Sequence, residues 1–239
     1  MSDTLTADSS AQYPAAQEPN AGSFPRRVID TFISPVALFS RFGARPPWVD
    51  VMVVSVVIGL IAFALVPTDV WVATMKEAMR QRGQDLPPGA DPASMAGIQR
   101  IGGMVGGAIV PWIILVIQAG LMVLVFSVVL GGKATFRQYL AVVAHASLIG
   151  ALGQIAALPV TLQQGVMTQG ITLAALAGGM EKDSFVYQFL NVFNVFLIWQ
   201  LVVMGLGVAT LNRRIGAGTA VGVLLGLLAC IAAAIAAIF

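Results

Sequence analysis

Five residues inside otherwise apolar stretches carry the polar atoms most able to do chemistry: Gln118, His145, Gln154, Asn191 and Asn194. A polar group in such surroundings either finds a hydrogen-bond partner or marks a path for a polar ligand, because an unpaired one is costly in hydrocarbon. His145 is the single histidine of the chain and the one side chain in these stretches able to titrate near neutral pH. It reads either as a neutral, bundle-facing ring or as a proton carrier. Gln154 cannot join it in a one-face relay: nine positions at about 100° each end half a turn beyond two full turns. Gln188, Asn191 and Asn194 lie three apart, so they share a face if one helix carries them. That face is either glue between helices, at about 1 kcal/mol per bond, or an outer polar patch for a substrate or ion.

Other chemistry finds no constellation. Hydrolysis, proteolysis or metal catalysis within a bundle needs paired acids, a serine or cysteine with a base, or clustered histidines. The apolar stretches offer one histidine, Cys230 and the boundary carboxylate Asp50. No catalytic, metal-binding or cofactor-binding residue is therefore expected, and no cofactor. Cys230 reads as a small core residue, and a lone thiol forms no internal disulfide. Asp50 reads as an interfacial anchor within reach of headgroup water or Arg45. The glycine pairs near Gly102 are followed by no Lys-Ser/Thr, which excludes a phosphate loop. A net charge of +2 without a basic stripe gives no reason to expect a nucleic-acid partner.

The elements that hold these residues are helices in lipid. The chain is 58% hydrophobic and 10% charged, with a mean hydropathy of +0.87, where soluble domains carry about 25% charged residues. Five apolar runs, Val49 to Val66, Gly103 to Leu130, Tyr139 to Leu162, Tyr187 to Leu211 and Thr219 to Phe239, approach or exceed the ~20 residues that cross a bilayer. They lack the period-two alternation of barrel strands. Only helices satisfy their own backbone in lipid. The fold class is an all-α integral membrane protein, a bundle of five transmembrane helices with an N-terminal amphipathic interfacial segment. Residues 1–23 read as a disordered cytoplasmic tail without the apolar core of a signal. Residues 24–45 form the interfacial segment and 46–239 the membrane domain.

Between Phe24 and Phe42, Val28, Ile29, Phe32, Ile33, Val36, Phe39 and Phe42 recur at helical spacing, and Ser34-Pro35 fits an N-cap and first helical position. Two short helices joined at Ser34 are expected. They lie in the headgroup layer, arginines toward anionic lipid, or pack on the bundle. Pro67 to Gly102 begins with a helical extension, Trp71 to Arg82, and then breaks at the prolines from Pro87 to Pro92. Val166 to Ala177 is too short to span comfortably and reads as re-entrant or interfacial, although a sixth span there would invert every later helix.

Loop charges set the orientation. With the N-terminus cytoplasmic, Arg26, Arg27, Arg41, Arg45, Lys133, Arg137, Arg213 and Arg214 lie inside, eight of the 13 Lys and Arg. The two short inner loops carry positive charge only, which puts the C-terminus outside. These eight are the candidate lipid-headgroup contacts. For helix packing, Gly102 with Gly106 and Gly103 with Gly107 form interleaved small-xxx-small pairs, and Gly218, Gly222 and Gly226 line one face of the last run. That face serves packing within the chain or pairing with a second copy.

The order of features resembles the bacterial branch of the Yip1 family. Ile29-Asp30-Thr31-Phe32-Ile33-Ser34-Pro35-Val36-Ala37-Leu38-Phe39 and Arg45-Pro46-Pro47-Trp48 precede the first span. Gly131-Gly132-Lys133-Ala134-Thr135-Phe136-Arg137-Gln138-Tyr139 then leads into Val142-Val143-Ala144-His145-Ala146-Ser147, and the stretch Asn191 to Gly207 fits as well. The resemblance implies a five-span protein of the bacterial inner (plasma) membrane with no generally assigned reaction. It supports the topology more than any role; the chain reads as a non-enzymatic Yip1-like protein organising the bilayer or other membrane proteins, and a small solute or ion permease using the outer polar patch is the alternative. Eukaryotic relatives meet Rab-type GTPases through an acidic Tyr-Gly-Pro motif, which Met1 to Ser23 does not match. GTPase binding is therefore not expected, and the partners implied are the lipid bilayer and either a second copy or other membrane proteins.

Overall fold

The computed structural model describes residues 21 to 238 except 82, 168, 169, 171, 178, 182 and 183. Residues 1–20 of the tail expected at 1–23, together with Lys182 and Phe239, lie outside the described residues, whereas Ala21 is buried. Among the described residues the regular structure is helical, apart from an isolated bridge between Thr172 and Asn194. The chain begins with α1 (Phe24–Ile33) and α2 (Pro35–Ser40), divided at Ser34 as the Ser-Pro signal predicts.

Next come α3 (Val49–Ala64) and α4 (Thr68–Gln81), which meet at a bend of 89°. Pro67 sits at that bend and disfavours helical geometry in the residue before it. Asp91 caps α5 (Pro92–Met122), accepting from the amides of Ala93 and Ser94, with Pro92 at the first helical position where a missing N–H costs nothing. The helix starts well before the apolar run because cap chemistry, not hydropathy, sets its beginning. It continues as a π-helix, Val123–Val129.

The longest uninterrupted packing surface belongs to α6 (Phe136–Gln164). Thr135 and Gln138 close a capping box at its start, and Gly165 ends it in the left-handed region, where glycine carries no Cβ penalty. From Tyr139 to Ala146 every residue is buried. Helices α3 and α5 pack against α6, as does α9 (Val195–Leu211); α10 (Ala217–Ile238) in turn packs on α9.

The fourth predicted run is not one helix. It divides into α8 (Phe185–Asn191) and α9 because Asn194 takes an extended conformation and accepts from the amide of Leu197 as an N-cap. The backbone freed at the break is met by the neighbouring segment: the Leu173 amide donates to the Phe193 carbonyl at 2.8 Å. Between Val166 and Ala177 the helical part is α7, only Leu173–Ala177, too short to cross a bilayer. Among the described residues this run therefore holds a short helix beside the break, joined to it by the bridge between Thr172 and Asn194.

Two ends of the bundle are tied by specific bonds. At one end Gln138 reaches the Gly43 carbonyl at 3.2 Å and Asn212 holds the turn before α6. At the other, Arg100 donates to the Ala64 carbonyl at 2.7 Å and the Met167 amide to Thr74 Oγ1 at 2.8 Å.

Pro92–Val129, Phe136–Gln164 and Ala217–Ala237 are long and apolar enough to cross a membrane, and the bent α3–α4 pair gives a fourth if taken as one span; Val195–Leu211 is apolar but shorter. In Pro92–Val129 and Ala217–Ala237 only 22% of the most apolar window is buried within the chain. The outward stripe of α3, Val49, Val53, Val57, Ile61 and Leu65, is exposed. Apolar faces of this extent do not stand in water; in hydrocarbon they are the expected exterior.

Candidate functional site

At the α6 start, the N-terminal arm docks with its polar face inward. Arg27 is 5% exposed, pairs with Asp50 and donates through Nη1 to the Gly22 carbonyl at 2.8 Å. Thr31 is buried beneath it. Arg41 pairs with Asp30, and the Arg26 Nε lies 3.6 Å from the same carboxylate. Leu38 and Phe39 are fully buried, while Ile29, Ile33 and Val36 face outward; Phe32 sets its ring edge-on to Trp199 at 5.8 Å. The arm is thus packed on the bundle with an apolar face left outside. Two sequence expectations change. Arg27 is a buried ion-pair partner, not a headgroup contact, and Asp50 answers Arg27, not Arg45.

Next to the arm, Asn212 organises a second feature that the sequence reading missed. It is 3% exposed; its Oδ1 accepts from the amides of Lys133 and Ala134 at 2.7 and 2.9 Å. Its Nδ2 donates to the Tyr139 hydroxyl at 3.1 Å and to the Val208 carbonyl at 2.9 Å. All four bonds of one carboxamide are used, two in each direction. A Cβ at Gly132 would lie 2.6 Å from the Phe126 carbonyl oxygen and 2.5 Å from Asn212 Oδ1, so no larger residue fits there. The signal available in sequence was an Asn directly after an apolar run, facing a Gly-Gly turn.

This clamp brings the two short basic loops together. Gly131, Gly132, Lys133, Leu211, Asn212, Arg213 and Arg214 line a cavity of about 320 Å³. Lys133, Arg213 and Arg214 are exposed, as are Arg45 and Arg137, and none of the five forms an ion pair among the described residues. Lys133, Arg213 and Arg214 thus put three cations at the mouth of one cavity, and guanidinium and ammonium groups attract anions by charge and by donor geometry.

The mid-span polar residues separate. His145 is fully buried, its Nδ1 2.7 Å from the Ala141 carbonyl and its ring packed on Phe42 at 5.3 Å; Nε2 has no partner among the described residues. Gln118 is half-buried on α5 and lines neither of the two mid-span cavities. Asn191 accepts from Thr172 Oγ1 at 3.2 Å and Asn194 is a cap, so the helix break takes Asn194 off the face expected for the three and leaves only Gln188 and Asn191 together on α8. Gln154 instead opposes a residue that sequence reasoning did not single out, Gln200. Both line a cavity of about 440 Å³ between α3, α6 and α9 and an adjoining one of about 290 Å³ that reaches α5.

Glycine packing also differs from expectation. Gly218, Gly222 and Gly226 face open space, as do Gly102 and Gly106. Close approach uses other glycines: a Cβ on Gly205 would lie 2.9 Å from the Val221 backbone, and one on Gly207 would lie 2.7 Å from Val142 Cγ1. Of the two interleaved pairs expected on α5, Gly103 and Gly107 do make contact, with Phe63 and Leu60. So α10 is received by a glycine of α9 while its own glycines look away. Cys230 is exposed, not in the core.

An all-helical bundle with apolar exterior faces, a docked N-terminal arm and a clamped basic turn defines a polytopic membrane protein. A Yip1 domain matches residues 29–238, and the chain belongs to the Yip1 family. It is similar to "Membrane protein YknW" of Bacillus subtilis (strain 168), at 27% identity over 195 residues, which is 80% of this chain and 81% of that protein. No solved structure matches the chain.

Proposed function

We propose that this Yip1 protein is a non-enzymatic organiser of the bilayer that holds anionic lipid headgroups at its basic rim. The observation that carries the reading is the cavity at Lys133, Arg213 and Arg214, placed by Asn212 beside a docked arm whose apolar face points outward. Such an arm lies in the interfacial layer, with Ile29, Ile33 and Val36 toward acyl chains. The proposed topology is five crossings by α3, α5, α6, α9 and α10 in the inner (plasma) membrane, with the N-terminus and basic rim cytoplasmic and the C-terminus outside. The all-positive loops support this sidedness, as does the gathering of both loops at the arm end.

A basic residue at an anionic surface contributes about 1 kcal/mol, or about fivefold in affinity per residue. The test is retention of phosphatidylglycerol over phosphatidylcholine by the protein purified in mixed-lipid micelles. Lys133→Ala, Arg213→Ala and Arg214→Ala are each expected to lower that preference about fivefold, and less so at high salt. Equal lipid preference in the triple variant and the parent would overturn the reading.

A further inference from the structure

Helices α3 and α9 both pack on α6, and the cleft between them is lined by the carboxamides of Gln154 on α6 and Gln200 on α9. Each amide lies along a groove left by a glycine. A Cβ on Gly59 of α3 would sit 3.1 Å from Gln154 Oε1, and one on Gly150 would sit 2.8 Å from Gln200 Oε1. Among the described residues neither carboxamide has a hydrogen-bond partner in the chain, in contrast to Asn191, Asn194 and Asn212, each of which does. Gln154 is exposed although it stands within a membrane-spanning helix.

An amide at this depth is costly to leave unpaired, so the pair calls for an external partner. The chemistry of that partner follows from the walls. Neither cavity is lined by a charged side chain, so an ion would enter without a counter-charge, at a desolvation cost that nothing returns. Two carboxamides together present donors and acceptors, which suits a group that both gives and receives hydrogen bonds. Apart from Thr161 and Asn194, whose side chains are a buried hydroxyl and the cap of α9, the remaining wall, including Phe63, Leu158, Phe196 and Leu197, is apolar, and a volume of about 440 Å³ falls within the usual range for small-molecule sites.

We infer that this cleft binds an uncharged molecule carrying a hydroxyl or amide group on an apolar or short-chain body, held by Gln154 and Gln200. The polar group sits between the two amides and the body lies against the aromatic wall. A hydroxylated neutral lipid entering from the bilayer and a small free polyol entering from the aqueous end both have this chemistry.

The experiment uses the full chain in phosphatidylethanolamine–phosphatidylglycerol vesicles containing diacylglycerol with a diazirine in one acyl chain, and in parallel vesicles for glycerol permeability by light scattering. If the source is lipid, α6 and α9 peptides are labelled, excess dioleoylglycerol competes the labelling away, and Gln154→Leu with Gln200→Leu lowers it at least fivefold. If the source is a free polyol, glycerol flux above that of empty vesicles falls at least fivefold in that variant. Ala157→Phe, which fills the cleft and leaves both amides in place, should act in the same direction. Labelling of the parent protein that excess dioleoylglycerol does not compete, together with glycerol flux equal to that of empty vesicles, would overturn the inference without any variant. The phosphatidylglycerol preference of the basic rim should stay unchanged throughout, which separates this site from the proposed headgroup role.

Discussion

Asn212 illustrates how much one buried carboxamide fixes. It joins the turn before α6 to the end of α9 through four hydrogen bonds, and without its Oδ1 the amides of Lys133 and Ala134 lose their acceptor. An unmade buried bond costs about 1–3 kcal/mol, so Asn212→Leu should lower the thermal midpoint of the detergent-solubilised protein by several degrees and abolish the headgroup preference with it. Asn212→Asp keeps the Oδ1 acceptor of both amides but replaces the donor to the Val208 carbonyl with an oxygen, and should recover only part of each effect. An unchanged midpoint in Asn212→Leu would show that the clamp does not hold the rim. Glycines divide in the same residue-level way. Gly205→Leu forces the α10 backbone away from α9, at about 1–3 kcal/mol for overpacking, whereas Gly222→Leu meets open space and should leave the midpoint within the scatter of a surface substitution. Thermal unfolding of the two variants side by side distinguishes these roles.

At the scale of elements, the division of the arm at Ser34 and the N-terminus of α6 were legible locally, from Pro35 at a first helical position, although the Ser34 side chain makes no cap bond, and from the Thr-x-x-Gln capping box. The break between α8 and α9 was not, since hydropathy runs on through Val192 and Phe193 and only pairing with Thr172, distant in sequence, stabilises the extended turn. Nor was the inward direction of Arg27, which depends on where α3 places Asp50. The arm's attachment is testable: Asp50→Ala strands a buried guanidinium. Loss of one partner of a buried pair costs about 3–5 kcal/mol, reduced here because the Asp50 side chain is 43% exposed. Faster tryptic cleavage after Arg26 and Arg27 is expected, and parental cleavage rates would contradict docking through this pair. The start of α5 has a pH signature. The Ser94 hydroxyl and then the amides of Ala93 and Ser94 hold the Asp91 carboxyl below the usual carboxylate range. Its folded pKa being depressed, the cap is complete above the ordinary carboxylate pKa and is lost as pH falls through the lowered value. Amide protection at Ala93 and Ser94, taken as the exchange rate relative to the intrinsic rate at the same pH, should therefore persist at neutral pH and be lost only in acid, while Asp91→Ala lacks it at both.

For the whole molecule, the apolar exterior and the two tied ends together require lipid as the surrounding medium. Composition alone carries that conclusion, since 10% charged residues cannot cover a water-facing surface. The candidate sites were less legible. Cations of the rim were identifiable one by one from loop charge, but their gathering around Asn212 needed the fold, and the partnership of Gln154 with Gln200 crosses two helices at positions that no periodicity relates. The outward glycine face of α10 shows the same limit: its spacing was visible and its direction was not.

The headgroup role requires that the basic rim and the α7–α8 connection lie on opposite sides of one membrane. Cysteine accessibility in intact cells tests this, with Cys230→Ala as background and single substitutions Lys133→Cys and Glu181→Cys labelled by a membrane-impermeant maleimide. Labelling is expected at position 181 without permeabilisation and at position 133 only after it. Labelling of both positions from the same side would contradict the topology and the headgroup role built on it.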